Sequence, residues 1–214
     1  MQVYRGEVLK PYYQDSAVTI YHGDCREILP GLGKFDLLLT DPPYGIGDLM
    51  KGGKNTGHWN MLSGGNSWDG KAPDLAGWFE AATHKVIWGG NYFPLPPSRC
   101  WLAWVKSNAV PTQSDMELAW TNLDMPSRAV ELPSGGAYKR QHPTQKPEEL
   151  ITWCLRECFY HPDRTVETVV DPFCGSGTVS RACKDLGYKS VSIDLEEAYC
   201  EIAAKRMAQE VLCF

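Results

Sequence analysis

The stretch Thr168–Gly177, TVVDPFCGSG, decides the expected fold of this chain. Val169 and Val170 are apolar and β-branched, which is typical of a strand buried in a parallel sheet. Gly175 and Gly177 allow a tight turn and a close approach of the backbone to a ligand at the carboxyl end of that strand. The stretch therefore predicts a strand that leads into a glycine-rich binding turn.

The same alternation of strands and helices extends outward from this stretch. It favours an α/β fold, with a mostly parallel sheet and helices on both faces. We expect a single domain over residues 1–214, with a first half at 17–140 that contains an irregular loop at 45–72, and a second half at 141–214 that contains the glycine-rich turn. Strands are predicted at 17–21, 35–40, 85–88, 100–106, 116–121, 168–170 and 189–193, and helices at 73–83, 147–159, 178–186 and 196–209.

The composition is that of an ordinary soluble protein, with 43% hydrophobic and 22% charged residues. No apolar run is long enough to span a membrane, and residues 1–10 contain no apolar signal core, so we expect a cytoplasmic protein without a membrane partner. The eight cysteines form no Cys-x-x-Cys pair, which favours buried free thiols and no metal site. The net charge of -5 argues against strong non-specific nucleic-acid binding but allows a local basic groove.

The glycine-rich turn has the features of a nucleoside site. Asp194 ends the strand after the turn, about 20 residues on, where a carboxylate can bind a ribose. A dinucleotide fingerprint would contain a third glycine, which is missing here, and Phe173 instead offers an aromatic wall. This spacing argues against a dehydrogenase and suits a nucleoside cofactor without a pyrophosphate.

A second motif, Asp41-Pro42-Pro43-Tyr44, directly follows the predicted strand at 35–40. Its prolines fix the backbone and remove N–H donors, so that carbonyl groups face a ligand there. The Asp41 carboxylate and the Pro42 carbonyl can accept hydrogen bonds from an amino group and stabilise the positive charge that develops on its nitrogen. Tyr44 can stack on a nucleobase, which must be flipped out of a duplex to reach such a pocket.

Together these residues resemble the S-adenosylmethionine-dependent DNA amino-methyltransferases. Asp41–Tyr44 is similar to the catalytic motif of that family, and Asp171–Gly177 is similar to its cofactor motif. The segment 142–147, HPTQKP, resembles the one that precedes the cofactor loop and holds the methionine end. The order of the motifs, catalytic before cofactor, is that of the β-group, and the short chain resembles phage or mobile-element enzymes. Protein-glutamine and ribosomal-RNA guanine methyltransferases usually begin the first motif with Asn and carry the two motifs in the reverse order.

The resemblance implies a Rossmann-like sheet of about seven strands, with a catalytic and target half at 17–140 and a cofactor-binding half at 141–214. It also implies roles for particular residues. Asp41, Pro42, Pro43 and Tyr44 would be catalytic. The residues that would bind S-adenosylmethionine are Asp24, Asp41, Thr144, Lys146, Asp171, Phe173, Gly175, Gly177 and Asp194.

The implied activity is methylation of adenine N6 in double-stranded DNA, as in restriction-modification systems. Cytosine N4 is the alternative target, and a non-catalytic nucleic-acid-binding module of the same fold is a further one. The resemblance also makes a homodimer an expected assembly, because only 45–71 and 107–140 are available for target recognition. Candidate DNA-contacting residues are Lys51, Lys54, Lys106, Arg128, Lys139 and Arg140, with Trp59, Trp68, Ser107 and Asn108 near the target base.

Overall fold

The computed structural model of the chain describes residues 3–4, 7–46, 72–74, 77–109, 114–134, 145–159 and 165–209. Its helices are α1 (Cys25–Ile28), α2 (Glu148–Phe159), α3 (Thr178–Leu186) and α4 (Glu197–Met207), and 3-10 turns lie at Leu29–Gly31, Phe79–Ala81 and Gly90–Tyr92. Its strands are β1 (Val3–Tyr4), β2 (Glu7–Val8), β3 (Tyr13–Gln14), β4 (Val18–His22), β5 (Phe35–Thr40), β6 (Ala82–Trp88), β7 (Trp101–Lys106), β8 (Met116–Thr121), β9 (Arg128–Leu132), β10 (Thr168–Asp171) and β11 (Lys189–Asp194).

Within the described ranges, nine strands form one sheet in the order β3-β4-β11-β10-β5-β6-β8-β7-β9. The five strands from β4 to β6 in this order are parallel to their neighbours. The strands β3 and β8 run antiparallel to the rest. The prediction of a mostly parallel α/β sheet is confirmed, and the short edge strands β3 and β9 extend it beyond seven.

The two predicted halves of the chain interleave in this sheet. Strands β10 and β11 of the second half lie between β4 and β5 of the first. The chain leaves β5 toward β6 on one side and leaves β10 toward β11 on the other. The neighbouring strands β5 and β10 therefore form a topological switch point, where open α/β sheets place their ligands.

The apolar residues of the central strands face both sides of the sheet. Leu37 and Leu39 of β5 pack with α2 and α3, whereas Leu38 packs with α1 and Trp78 on the opposite side. This alternation follows from the two-residue period of a strand. Because both faces are covered, β5 is an apolar run in the sequence, and it carries Asp41 directly into the binding crevice.

The strand and helix beside the glycine-rich turn agree closely with the predictions. Helix α3 has the predicted bounds, and Gly187 ends it with φ +81°, in the left-handed region. Tyr188 then donates a hydrogen bond from its backbone N–H to the Cys183 carbonyl at 2.9 Å, which satisfies one of the last carbonyls of the helix.

The predicted helix over 73–83 is wrong in the described part of that range, where 73–74 have no regular structure and 77–78 form a turn. Phe79–Ala81 is a 3-10 turn, and Ala82 already begins β6, where it pairs with Phe35 of β5. Pairing with a neighbouring strand outweighs the local helical preference of these residues. The strand β9 was not predicted, and it pairs with β7 through Leu102↔Arg128 to Lys106↔Leu132.

Two expectations from the composition can be compared with the described residues. The six cysteines whose side chains are described, Cys25, Cys100, Cys154, Cys174, Cys183 and Cys200, are free and buried. None of the helices in these ranges has the length and apolarity that crossing a membrane requires.

Candidate active site

A cavity of about 810 Å³ opens at the switch point between β5 and β10. The segment Asp41–Tyr44 lines it together with the segment Asp171–Ser176, although these segments are far apart in the sequence. Gln145 and Lys146 form part of the same wall. The fold therefore brings the two motifs and the segment before α2 to a single cavity, as the order of the strands requires.

Asp171 fixes the start of the glycine-rich turn. Its Oδ1 accepts a hydrogen bond from the Thr40 hydroxyl at 2.7 Å and another from the Phe173 backbone N–H at 3.1 Å. Burial raises the pKa of the Asp171 carboxyl to about 7, against the lowering effect of these hydrogen bonds. Asp171 thus ties the end of β5 to the turn after β10, and its burial favours the protonated form.

Asp194 closes the turn from the neighbouring strand. Its Oδ2 accepts a hydrogen bond from the Gly175 backbone N–H at 2.7 Å, and its Oδ1 accepts one from the Glu196 N–H at 3.0 Å. Burial raises the pKa of this carboxyl to about 6. Both oxygens have a partner already, so any ribose hydroxyl bound here would share the carboxylate with the backbone.

The remaining predicted cofactor residues on this side differ in position. Phe173 lines the cavity and meets Trp78 edge to face, with ring centroids 5.5 Å apart. The carboxylate of Asp24 also lines it, but pairs with Arg26 at the start of α1. Gly177 lies outside the lining residues: its φ is +76°, and a Cβ there would lie 2.9 Å from the Cβ of Ala203. Gly177 thus permits close packing of the turn against α4.

Asp41, the first residue of the acceptor motif, has both carboxylate oxygens engaged. The Tyr44 hydroxyl donates to Oδ1 at 2.6 Å, and the Lys146 ammonium donates to Oδ2 at 2.6 Å. Burial raises the pKa of Asp41 above its usual value, and the charge of Lys146 opposes this effect. An ammonium at this distance favours the ionised carboxylate, which is the form that can accept hydrogen bonds from an amino group.

Lys146 is the centre of the charged part of the site. Its side chain is only 5% exposed. Among the described residues, it donates to Asp41, to the Tyr44 hydroxyl at 3.1 Å and to Glu117 Oε2 at 3.0 Å. Burial lowers the pKa of Lys146, but the charges of Asp41 and Glu117, together with the Tyr44 hydroxyl, more than reverse this effect and raise it well above its usual value. Lys146 is therefore a fixed cation beside the acceptor carboxylate.

Tyr44 is held from several sides. Its ring stacks on that of Tyr92, with centroids 5.0 Å apart and planes 19° from parallel. Gly89, with φ +68°, lies against the same ring, and a Cβ at this position would be 2.0 Å from Tyr44 Cε1. Burial and the charge of Asp41 raise the pKa of the Tyr44 hydroxyl well above its usual value, so it remains a donor.

Sequence reasoning missed several residues of this site. Glu117 lies on β8, and Tyr92 and Trp88 follow or end β6. Trp88 is fully buried at the cavity, and its indole N–H has no hydrogen-bond partner within the described part of the chain. Leu195 lines the cavity and is 65% exposed. The one available signal was the GGNY sequence after β6, a glycine-rich strand end like the one after β10.

Other predicted site and DNA-contacting residues fall into three groups. Arg128 and Ser107 are exposed, as a DNA contact requires. Lys106 instead pairs with Glu117 at 2.8 Å, and its side chain is 10% exposed. Asn108 braces the end of β9, where its side chain binds Ser134. The predictions for Thr144, His142, Lys51, Lys54, Trp59, Trp68, Lys139 and Arg140 lie outside the described residues.

Comparison with known proteins identifies the family of the chain. A family model described as DNA methylase, of the N6/N4 type, matches residues 96–205, just over half of the chain. The chain therefore belongs to this DNA methylase family, and the predicted family is confirmed. It is similar to the Type II methyltransferase M2.DpnII of Streptococcus pneumoniae, with 25% identity over 94% of this chain and 93% of the relative. The Type II methyltransferase M.ScaI of Streptomyces caespitosus is 26% identical over 94% of this chain and 84% of its own length.

The chain has the same fold as two solved structures. The M1.HpyAVI-SAM complex has a TM-score of 0.58 at 24% identity and covers 90% of this chain and 100% of its own. The PvuII DNA methyltransferase, titled cytosine-N4-specific, has a TM-score of 0.62 at 17% identity and covers 95% of this chain and 91% of its own. At these identities the likeness concerns the fold, which is the Rossmann-like methyltransferase fold predicted from the sequence.

Proposed function

We propose that this protein transfers a methyl group from S-adenosylmethionine to N6 of an adenine in double-stranded DNA. The observation that carries this proposal is the single cavity lined by both the acceptor segment Asp41–Tyr44 and the glycine-rich turn Asp171–Ser176. Membership of the DNA methylase family supports the reaction class. A shared cavity matters because direct transfer requires both reactants to be held side by side.

The residues of the turn fit a nucleoside cofactor. The cavity has the size of ordinary small-molecule sites, which span roughly 300–1,000 Å³. Phe173 offers an aromatic face, and Asp24 and Asp194 offer carboxylates to polar groups of a nucleoside. When bound, S-adenosylmethionine supplies an electrophilic methyl group on a sulfonium sulfur. A related fold was solved as an M1.HpyAVI-SAM complex, which supports the choice of cofactor.

The cofactor residues predicted from the sequence remain part of the proposal, with different expected contributions. Phe173, Gly175, Asp194 and Asp24 would contact the cofactor from the turn, and Asp171 and Gly177 would hold the turn in shape. Lys146 and Thr144 would act at the methionine end. Because Lys146 already donates to Asp41, Tyr44 and Glu117, binding a cofactor carboxylate would require it to share or release one of these hydrogen bonds.

The acceptor segment would orient the amino group of the target base. The Asp41 carboxylate and the Pro42 carbonyl accept its two N–H bonds, while Pro43 fixes the loop. The hydrogen bonds from the amino group to these acceptors strengthen as positive charge develops on its nitrogen. In this arrangement the Tyr44 hydroxyl yields its place on Asp41 Oδ1 to the amino group, and its ring stacks on the flipped base.

Adenine is proposed over cytosine because the acceptor motif begins with Asp in this chain and, by resemblance, Asp favours adenine. Cytosine N4 presents the same kind of amino group, and the fold is shared with an enzyme titled cytosine-N4-specific. A homodimer is part of the proposal, since a second copy would add DNA contacts to a short chain. Sedimentation of the free protein and of its DNA complex measures this assembly.

The direct test incubates the purified protein with S-adenosylmethionine and unmethylated double-stranded DNA, and then identifies the methylated nucleosides by mass spectrometry. N6-methyladenine is the expected product. Detection of N4-methylcytosine instead would change the proposed target base from adenine to cytosine and leave the rest of the proposal intact. Absence of any methylated nucleoside, with cofactor binding intact by calorimetry, would overturn the catalytic proposal in favour of a binding module.

A further inference from the structure

Four charged side chains of alternating sign form a charge row from the Asp41 carboxylate to Lys106 at the end of β7. Asp41 pairs with Lys146 at 2.6 Å, Lys146 with Glu117 at 3.0 Å, and Glu117 with Lys106 at 2.8 Å. Glu117 Oε2 faces Lys146 and Glu117 Oε1 faces Lys106, so one carboxylate joins the two ammonium groups. The row ends over the ring of Trp104, 5.4 Å from the Lys106 ammonium.

The charge row exists only in the folded chain, because its members come from separate elements. Lys106 ends β7, Glu117 lies near the start of β8, and Lys146 precedes α2. The pairing of Trp104 with Glu117 sets the position of the carboxylate on the sheet. The four side chains are largely shielded from solvent, with exposed fractions of 5% for Lys146, 10% for Lys106, 22% for Asp41 and 25% for Glu117. Weak solvent screening makes each charge sensitive to the next one along the row.

Glu117 completes the hydrogen bonding of Lys146. An ammonium group has three N–H donors, and the described acceptors for Lys146 are Asp41, Tyr44 and Glu117. Without Glu117, one donor would lose its partner, and the whole attraction of the cation would fall on Asp41. A carboxylate that is paired too closely with a cation is a poorer acceptor for a substrate amino group, because its oxygen is already occupied.

We propose that Glu117, held by Lys106, is a positioning residue that fixes Lys146 and thereby keeps the Asp41 carboxylate available to the amino group of the substrate. This inference deepens the proposed function and rests on it. Glu117 does not line the cavity and acts through Lys146. Lys106, which the sequence suggested as a DNA contact, has instead the role of holding Glu117.

The electrostatic consequence has a definite sign. The groups that act on Asp41 are Tyr44 on its own loop, Lys146 before α2, Glu117 on β8 and Asp171 at the end of β10. Without the negative charge of Glu117, Asp41 no longer shares the Lys146 cation with a second carboxylate. The ionised form of Asp41 is then more stable, so its pKa should fall. Removing the positive charge of Lys106 strengthens the hold of Glu117 on Lys146, so the pKa of Asp41 should rise.

The experiment compares Glu117→Gln, Lys106→Met and the parent chain in two measurements. Carbon-13 NMR of labelled aspartate carboxyl groups follows the titration of Asp41, which Asp41→Asn identifies by the loss of its signal. Glu117→Gln should lower the pKa of Asp41 and Lys106→Met should raise it. Glu131→Gln, the same chemical change at an exposed position of β9, should leave it unchanged.

Kinetics provide the second measurement. Glu117→Gln should lower kcat about tenfold, because small displacements of catalytic groups reduce the rate strongly, while KM for the cofactor and DNA stays within about twofold. The acid limb of the pH–kcat profile should move down in pH for Glu117→Gln and up for Lys106→Met. Glu117→Asp, which keeps the charge, should recover part of the rate. Shifts in the same direction, or none, would overturn the inference.

The two measurements separate the inference from the proposed function. The NMR titration needs neither cofactor nor DNA, so it tests the charge row even if the parent chain methylates no DNA. Opposite pKa shifts together with an inactive parent would contradict the proposed function alone. If the parent methylates DNA but the pKa of Asp41 is the same in both variants as in the parent, the inference alone is contradicted. Thermal unfolding of each variant checks that it folds. If Lys106→Met does not fold, Lys106→Gln takes its place.

Discussion

The two sides of the cavity are held in different ways. On the side of the glycine-rich turn, the carboxylates of Asp171 and Asp194 accept hydrogen bonds chiefly from backbone N–H groups within a few residues or on the neighbouring strand. On the acceptor side, Asp41 is held by side chains, above all by Lys146, which lies 105 residues away in the sequence. Local backbone geometry shapes one side, and long-range ion pairing shapes the other.

This difference has consequences for function. A backbone-built turn keeps its shape as long as its glycines and neighbouring strands are intact, which suits a site for a constant ligand. Side-chain pairs with buried charges respond to each neighbouring charge, and their hydrogen bonds can be exchanged for those of a substrate. The acceptor side should therefore be sensitive to charge changes, and the turn should be sensitive to steric ones.

The largest effect is expected for Asp41→Ala. It removes a preorganised acceptor for the amino group, so kcat should fall about a hundredfold to a thousandfold. Cofactor affinity, measured by calorimetry, should fall much less than kcat, because most of the proposed cofactor contacts belong to the turn, which is built separately. Asp41→Asn, which keeps the size of the side chain, serves as the folding control. A variant that binds cofactor and methylates DNA at the parent rate would show that the acceptor assignment is wrong.

Gly89→Ala and Gly187→Ala form a matched pair that tests steric support of the acceptor side. Both glycines have positive φ, so either alanine should cost about 1–2 kcal/mol in backbone strain. A Cβ at Gly89 also collides with the Tyr44 ring, whereas a Cβ at Gly187 meets no described atom within 4 Å. Gly89→Ala should therefore lower kcat at least about tenfold, because Tyr44 and Asp41 are displaced.

The measurements for this pair are steady-state kinetics and denaturant unfolding. Gly187→Ala should lose stability alone, with kcat unchanged. Equal losses of kcat in both variants would mean that backbone strain, rather than contact with Tyr44, explains the effect.

Asp171→Asn tests the electrostatics of the turn through the pH dependence of stability. The pKa of Asp171 is raised from 3.8 to about 7, so the folded chain holds a proton that the unfolded chain has released. Its stabilising contribution is full below pH 3.8 and is lost as the pH rises to about 7. The amide keeps the acceptor for Thr40 and Phe173 but does not titrate.

Urea unfolding of both proteins between pH 4 and pH 8 measures this difference. Relative to the parent, Asp171→Asn should gain stability as the pH rises through that window and level off near neutrality. A stability difference that is constant with pH would show that Asp171 is ionised in the folded chain throughout.

The smallest effect on the site is expected for Arg206→Met on α4. The Arg206 guanidinium donates to the Ser176 carbonyl at 3.3 Å, to the Thr178 hydroxyl at 3.2 Å and to Glu148 at 2.5 Å, so it joins the turn to α2. Its loss should cost about 1–3 kcal/mol, and cofactor affinity should fall a few-fold.

The matched control is Lys205→Met, which removes an exposed ion pair with Glu201 from the same helix and should leave stability nearly unchanged. Equal unfolding free energies for the two variants would show that the bridge from Arg206 is not stabilising.

Much of the central fold could be predicted from local sequence. The bounds of β5 and α3 were predicted to the residue, because an apolar run ends on Asp41 and a glycine ends the helix. The strand β9, with the sequence RAVEL, escaped prediction since it is a partly exposed edge strand with charged residues. The turn at Phe79–Ala81 escaped because pairing with β5 decides where β6 begins.

The site shows the same division. Asp41, Tyr44, Phe173 and Gly175 line the cavity as predicted, because each belongs to a short motif that is visible in the local sequence. Glu117 and Tyr92 carry no local signal, since a glutamate on a strand and a tyrosine after a glycine pair are common. Their importance follows from contacts with Lys146 and Tyr44, which only the folded chain creates.

The sequence by itself determined the family, the α/β class and the two motifs that meet at the cavity, because apolar periodicity, glycine turns and proline geometry act over a few residues. The tertiary structure decided what surrounds Asp41. The β7–β8 pairing and the segment before α2 bring Lys106, Glu117 and Lys146 together from distant parts of the chain. Electrostatic interactions depend on distance in space and on burial, and neither quantity is determined by separation along the sequence.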